Sequence, residues 1–447
     1  MGKTLRILGF RINATGALQL FQMMRFGANL LTGIGLSKLI DKPADIATYE
    51  TAILYFGLLS FAPINAIVYN YIAAYKQAPD ARKPAVLVNS FRFASWAGGV
   101  AAILAMGIVL AFYDFPLLLT LFYGGFVLFN FLCMLTEYDL MLRNRLGWLL
   151  FYGSFFYGLR LAGVVLPILL GYDFTVVFGV LALVSAGQFA AFLLFRRDTP
   201  RRFSRLQMGY QFAKIRPLFF KQIVGGGAAY INGVLVTIFM SATDFVLFRY
   251  AARDFPLVPM LMIGIVSASA AMFAEVNKRE EHLRVFSQLR KSTRRMMRLS
   301  FPVVMLLIVS SHWLFRVVYN DEFVAAAPVF NLFMLLTIPR MIVPQAYLTG
   351  KQLNHALLRV AVIEIITHII LATVLIQFFG LYGVVMSAVV AYALDRGLLA
   401  WYVVREGYAF REIIDIGEWL AWSAALIALV LLANFAGWHL PADFAFS

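Results

Sequence analysis

The sequence predicts an all-α polytopic membrane bundle of about thirteen transmembrane helices, within a range of 12–14, and three observations predict it. Of the 447 residues, 62% are hydrophobic and only 14% are charged, with a mean hydropathy of +0.80; a water-soluble domain needs more charge than this. The apolar residues fall in runs of roughly twenty, enough for a helix to cross a hydrocarbon core of about 30 Å. Such runs are unlike transmembrane β-strands, whose hydropathy alternates over about ten residues.

In chain order, the runs predict spans at 13–37, 47–74, 93–113, 115–140, 147–170, 174–195, 217–241, 256–276, 299–318, 323–348, 356–377, 380–404 and 417–438. Lys3, Arg6 and Arg11 precede the first run, which lacks a small-residue cleavage site and so reads as a retained anchor. The turns Tyr113-Asp114-Phe115, Tyr172-Asp173-Phe174 and Tyr319-Asn320-Asp321-Glu322-Phe323 join neighbouring spans tightly. Asn277 to Arg298 reads as an amphipathic helix, with Leu283, Phe286, Leu289 and Met296 among Arg and Lys, suited to the inner membrane surface.

The stretch 196–216, with Arg196, Arg197, Arg201, Arg202, Arg205, Lys214 and Arg216, divides the spans into two sets of six. It sets the expected organisation: an N-terminal lobe at 1–195, a basic cytoplasmic linker at 196–216, a C-terminal lobe at 217–405, and an extra helix or helices at 406–447. With a cytoplasmic N-terminus, most of the 38 Lys and Arg residues fall on the cytoplasmic side, the bias expected of a multi-pass inner-membrane protein. The net charge of +15 then faces anionic membrane lipids, and nucleic acid need not be invoked.

Several chemistries lack their residues. The single cysteine, Cys133, excludes a disulfide framework, and His282, His312, His355, His368 and His439 show no pair at metal-ligand spacing. No P-loop, His-Glu-x-x-His helix or Gly-x-Ser-x-Gly elbow occurs. The external turns are too short to build a catalytic loop. The expectation is a non-enzyme with no metal or cofactor.

Polar residues inside spans are costly, about 2.5–3.5 kcal/mol for a central charge on insertion scales, and so point to function. Gln22, Arg25, Asn29 and Thr32 recur at spacings of three, four and three, on one helical face. Two readings of Arg25 stand: it faces a hydrated cavity, or it pairs with a carboxylate on a neighbouring helix. Arg160 lies near mid-membrane. Lys221 lies just inside its span, where it binds ligand or snorkels to headgroups. Arg340 sits between Pro339 and Pro344, where a broken helix would expose backbone groups.

Glu364 and His368 are one turn apart and form either a proton relay or an inter-helix salt bridge. Asp395 and Arg396 are adjacent and are expected to need separate partners. Glu137 and Asp139 are expected to be solvated at the cytoplasmic end of their span. Gly225-Gly226-Gly227 suits close helix packing or a kink. The deep charge leans positive, which suits an anionic ligand, because the guanidinium fork binds phosphate bidentately; an exporter of organic cations would lean the other way.

The second half carries a resemblance. NKREEHLRVFSQLRKSTRRMMR precedes a span opening Ser300-Phe301-Pro302; VVYNDEFVAAAPVFNLF and LTGKQLNHALLR follow. Next comes FGLYGVVMSAVVAYAL, with Gly380, Gly383 and Ala388 as a small-residue pattern, and the opening helix carries MMRFGANLLTGIGLSKLI. These resemble the polysaccharide or O-antigen flippases of the multidrug, oligosaccharidyl-lipid and polysaccharide exporter superfamily. Members commonly have twelve or fourteen helices, so thirteen would leave the C-terminus outside.

The resemblance implies two six-helix lobes related by a pseudo-two-fold axis along the membrane normal, with helices one, two, seven and eight lining a central cavity. The implied activity is alternating-access flipping of an isoprenoid-diphosphate-linked oligosaccharide, driven by a coupling ion (H+ or Na+) or the membrane potential, for polysaccharide or O-antigen export. Arg25 and Arg160, with Gln22, Asn29, Lys221 and Arg340, would hold the substrate; Glu364, His368 and Asp395 would couple the ion. Glycan-assembly proteins are the expected partners. The competing expectations are a multidrug or metabolite exporter of the same fold and a membrane glycan polymerase or glycosyltransferase.

Overall fold

The computed structural model describes residues 5–7, 10–12, 14–195, 205–252 and 257–437. Lys3, the linker residues 196–204 and His439 lie outside them. The short antiparallel pair Leu5–Ile7 and Phe10–Ile12 precedes a chain that is otherwise helical.

Six helices come first: α1 (Ala14–Leu39), α2 (Pro43–Gln77), α3 (Lys83–Phe112), α4 (Leu117–Leu142), α5 (Leu146–Leu169) and α6 (Phe174–Phe195). Each agrees with a predicted span to within a turn or two, except α3, which begins about three turns early. Asp114 turns the chain with φ of 50°, and the Tyr113 hydroxyl meets the Tyr55 hydroxyl at 2.7 Å, which fixes the α3–α4 turn.

Helix α7 (Arg205–Gly226) starts inside the basic stretch, so Lys214 and Arg216 are helical and not part of an irregular linker. The glycine triplet ends it. A Cβ on Gly227 would lie 2.6 Å from the Ile223 carbonyl, and one on Gly226 would lie 2.8 Å from the Phe61 ring. The triplet is therefore a packing and kink device, and α8 (Ala228–Phe239) begins beyond it.

Next come α9 (Ala242–Ala251), α10 (Leu257–Glu275) and α11 (Arg279–Val309), the last bent by 72° into α12 (Ser311–Val318). The predicted amphipathic segment is the first part of α11. It does not lie free along a membrane surface: its apolar face, with Val285, Phe286, Leu289 and Met296, is buried in the protein. Arg294 pairs with Asp415, and Arg298 Nε donates to Glu418 Oε1 at 2.8 Å.

The span predicted at 323–348 is broken into 3₁₀ turns and α13 (Ala327–Phe333), α14 (Thr337–Arg340) and α15 (Gln345–Gly350). Pro328, Pro339 and Pro344 each remove a backbone donor. The interruption expected beside Arg340 is present. Helix α16 (Asn354–Arg405) has 52 residues, ~78 Å at 1.5 Å per residue, far beyond one bilayer. Gly380, at φ 54° and ψ −132°, breaks it into the two predicted spans. The described chain ends with α17 (Phe410–Ile413) and α18 (Ile416–Phe435).

Among the described residues, eight helices are long and apolar enough to cross a membrane, or nine with α11 and α12 as one bent span. The count of thirteen is not reproduced on that criterion. Helix α1 has the length but carries its polar stripe, and α16 counts once although its glycine break divides it.

The chain divides into two compact units, 1–41 with 45–230, and 42–44 with 231–447. In the first, Ala17 and Phe21 of α1 pack on Leu149, Tyr152, Phe156 and Tyr157 of α5. In the second, α10 packs on α15, and the first part of α11 packs on α17 and α18. Phe273, Phe286, Tyr347 and Tyr408 there form a ring cluster with centroids 4.8–5.5 Å apart.

Candidate functional site

Helix α1 presents Gln22 and Arg25 one turn apart toward α4, and α4 answers with Glu137. Arg25 Nη1 lies 3.3 Å from Glu137 Oε1, and Gln22 Nε2 donates to Glu137 Oε2 at 3.4 Å. Gln22 Oε1 accepts from Arg25 Nη2, closing a three-residue ring. The Glu137 side chain is 3% exposed and that of Arg25 26%. The paired reading of Arg25 is therefore the observed one.

Glu137 and Asp139 are not solvated, contrary to expectation, but 2% and 1% exposed. They sit in an apolar helix that packs on both α3 and α6. Glu137 is compensated by Arg25, and Asp139 by Arg143 at 3.1 Å and the Tyr71 hydroxyl at 2.6 Å.

Arg160 of α5 donates through Nη2 to Gln188 Oε1 at 2.6 Å and Ser185 Oγ at 3.4 Å, both on α6. Its guanidinium lies over the Tyr157 ring at 5.4 Å. Tyr157 is also within electrostatic reach of Arg25, as Glu137 is of Arg160, so Arg25, Glu137, Tyr157 and Arg160 form one cluster inside the first unit. Glu137 pairs with Arg25, while Arg160 is held by Gln188, Ser185 and Tyr157. Gln188, Ser185 and Tyr157 carried no distinguishing sequence signal. Asn29 and Lys221 are also in this unit but exposed, which suits Lys221 to the snorkelling alternative.

The other predicted residues lie in the second unit. Glu364 and His368 do not bond to each other. His368 is 4% exposed, and its Nε2–H donates to Asn232 Oδ1 of α8 at 2.8 Å. Glu364 comes within electrostatic reach of Asp395 and Arg396 instead. A one-turn offset on a helix leaves two side chains some 40° apart, enough to give them different neighbours.

Arg396 takes partners of its own, as expected, but also approaches Asp395. The long Arg396 chain folds back so that Nε lies 3.4 Å from Asp395 Oδ2, while Nη2 donates to the Tyr392 hydroxyl at 2.5 Å and Nη1 to Gln345. This cluster has two carboxylates for one guanidinium. Arg340 ends α14, half-buried. No group of three His, Cys, Asp or Glu side chains among the described residues is arranged to hold a metal ion.

A polytopic helical chain with buried charge clusters inside its apolar units belongs to the class of membrane transporters, not enzymes. Residues 149–444, more than half of the chain, match the family described as lipid II flippase MurJ, and the chain belongs to that family.

Solved structures agree on the fold. A lipid II flippase MurJ in an inward closed conformation is 15% identical, with 96% of this chain and 94% of that one covered and a TM-score of 0.71. An inward-facing multidrug resistance MATE transporter of the MOP superfamily is 14% identical over 93% and 98%, with a TM-score of 0.59. A MOP superfamily transporter from Pyrococcus furiosus is 14% identical over 92% and 94%, with a TM-score of 0.52. No curated protein matches the chain. The family shown is that of the lipid II flippase, the O-antigen flippase family expected from the sequence is not confirmed, and the fold is the one seen in the MOP superfamily structures above.

Proposed function

We propose that this chain flips a polyprenyl-diphosphate-linked saccharide of the lipid II kind from the cytoplasmic to the external leaflet of the inner membrane. Family membership supports the class of cargo. One observation carries the site: in the first unit Arg25 is held by Glu137 and Gln22, and Arg160 by Gln188, Ser185 and the Tyr157 ring, so two guanidiniums lie inside its apolar interior. Each guanidinium carries five donors, of which protein partners use only some, and phosphate oxygens accept from the remainder. Gln22 adds an amide beside Arg25, and Asn29, exposed one turn further along α1, adds another.

The sugar occupies a hydrated cavity and the isoprenoid tail stays in the bilayer. The two lobes expected on either side of 196–216 rock to exchange the open side. The N-terminus is cytoplasmic, as the Lys and Arg bias requires. Energy comes from H+ or Na+, with Asp395 and Glu364 as the coupling carboxylates and His368 as a neighbour linking α8 to α16. Lys221 and Arg340 make supporting contacts to the diphosphate or to anionic headgroups.

The test is translocation in proteoliposomes of a polyprenyl-diphosphate saccharide by wild type, Arg25→Ala and Arg160→Ala. Both variants should lose transport while remaining folded. Retained transport in both sinks the proposal, and efflux of cationic dye without flipping moves the chain to the multidrug exporters. An O-antigen precursor shares the polyprenyl diphosphate and differs in its sugars, so competition between the two cargoes separates them.

A further inference from the structure

The Arg25–Glu137 contact has an unusual shape for a buried ion pair. A carboxylate that serves only to neutralise an arginine meets it best as a fork, with two parallel N–H···O bonds at about 2.7–2.9 Å. Here Glu137 touches one nitrogen, at 3.3 Å, and its second oxygen is taken by Gln22 at 3.4 Å. Gln22 accepts from the other terminal nitrogen of Arg25. The carboxylate is sealed at 3% exposure while a quarter of the guanidinium side chain stays open. Glu137 is thus sealed, while the Arg25 side chain keeps some access to its surroundings and neither of its terminal nitrogens is held by a carboxylate fork.

Building on the phosphate role proposed above for Arg25, we infer that Glu137 is a built-in counter-anion that holds Arg25 in place and weakens its grip on the diphosphate enough for cargo to leave. Glu137 touches no cargo; it acts through Arg25 as a positioning and tuning residue. A bare guanidinium in a site of low dielectric would bind a diphosphate tightly, and transport requires binding weak enough to release. A fixed negative charge beside the arginine lowers that affinity without holding its terminal nitrogens in a fork. Gln22 keeps both groups in register: it donates to one and accepts from the other, so neither is displaced when an anion arrives.

The experiment uses the full chain in lipid nanodiscs and an undecorated polyprenyl diphosphate as probe, in zwitterionic lipid with and without phosphatidylglycerol. Glu137→Gln keeps the shape and removes the charge. It should bind the probe more tightly, on the order of tenfold, as expected when one like charge a short distance from the ligand is removed, and it should flip more slowly. Glu137→Asp draws the charge back by one methylene and should fall between wild type and Glu137→Gln, so it carries the test if Glu137→Gln does not fold.

Unchanged or weaker binding in the folded variant overturns the inference, because a merely structural partner would not strengthen binding when lost. Arg25→Ala is the control on the underlying reading. If that variant binds the probe as wild type does, or phosphatidylglycerol competes equally with the probe in wild type, the phosphate role of Arg25 itself is wrong and the inference falls with it.

Discussion

Arg25 and Glu137 can be separated energetically by a double-variant cycle. Arg25→Met alone leaves a carboxylate at 3% exposure without its cation. Removing one partner of a buried ion pair costs about 3–5 kcal/mol, whereas replacing both by apolar groups of similar volume is often neutral. The residual 26% exposure of Arg25 and the Gln22 bond that Glu137 would keep place the single loss at the low end, ~3 kcal/mol. Arg25→Met with Glu137→Leu should recover most of that, within ~1 kcal/mol of wild type, leaving a coupling energy of at least ~2 kcal/mol, larger by whatever Glu137→Leu costs alone. The chain supplies its own reporter. Cys133 is the only cysteine, is 4% exposed, and lies one turn before Glu137 on α4. The rate at which it reacts with a thiol dye during denaturant titration in detergent therefore reads opening of the helix that carries the pair. The double variant should be folded and unable to flip. Additive single effects, or a double variant no more stable than Arg25→Met, would refute the paired reading of Arg25.

Other expectations follow from the same structure. Gly380→Ala adds a Cβ whose nearest neighbour, Met240 Cε, is a harmless 3.5 Å away, so its cost is backbone strain alone, about 1–3 kcal/mol for a conformation reserved to glycine. Gly383→Ala would drive a Cβ to 2.1 Å from the Leu375 carbonyl oxygen and should lower the thermal midpoint more than Gly380→Ala; equal loss would count against the break at Gly380. His368→Leu leaves the Asn232 amide oxygen without its donor in a site 9% exposed and should cost about 1–3 kcal/mol, with His368→Gln restoring part of it on the same titration. Arg160→Lys keeps the charge but not the fork that reaches Gln188 and Ser185, so it should fold and transport poorly; full transport would show that charge alone suffices there.

Periodicity and run length located most helices, because a span must satisfy its own backbone and so writes its length into the sequence. The failures have common physical causes. α16 was legible as two spans because glycine at 380 interrupts a run too long for one bilayer, and the broken stretch around Arg340 was legible because proline removes donors. Pairings were not legible. Glu137 was assigned to solvent from its distance to a helix end, and only the packing of α4 between α3 and α6 shows why that end is dry. The spacing of Glu364 and His368 suggested partnership, yet each faces a different element, which an i,i+4 rule cannot foresee when the second partner lies more than a hundred residues away. The family followed the same division: hydrophobic architecture points to a fold that related transporters share, whereas the cargo is set by side chains whose neighbours the sequence does not display.

The charge clusters of the two units differ in sign, and this bears on what each can do. In the first, Arg25 and Arg160 outnumber Glu137; in the second, Asp395 and Glu364 outnumber Arg396. Asp139, by contrast, is balanced by Arg143 within its own helix and leaves nothing over. If these clusters served stability alone, apolar replacements would do as well or better, since desolvating an ion pair commonly costs as much as its attraction returns. On the reading proposed above, an anion is the mobile partner of the first cluster and a cation that of the second. One site of each sign is used on that proposed function, and only the first binds a polyprenyl diphosphate. Neutralising Glu364 should therefore leave diphosphate affinity untouched and reduce gradient-driven flipping, the reverse of the binding defect expected from Arg25→Ala.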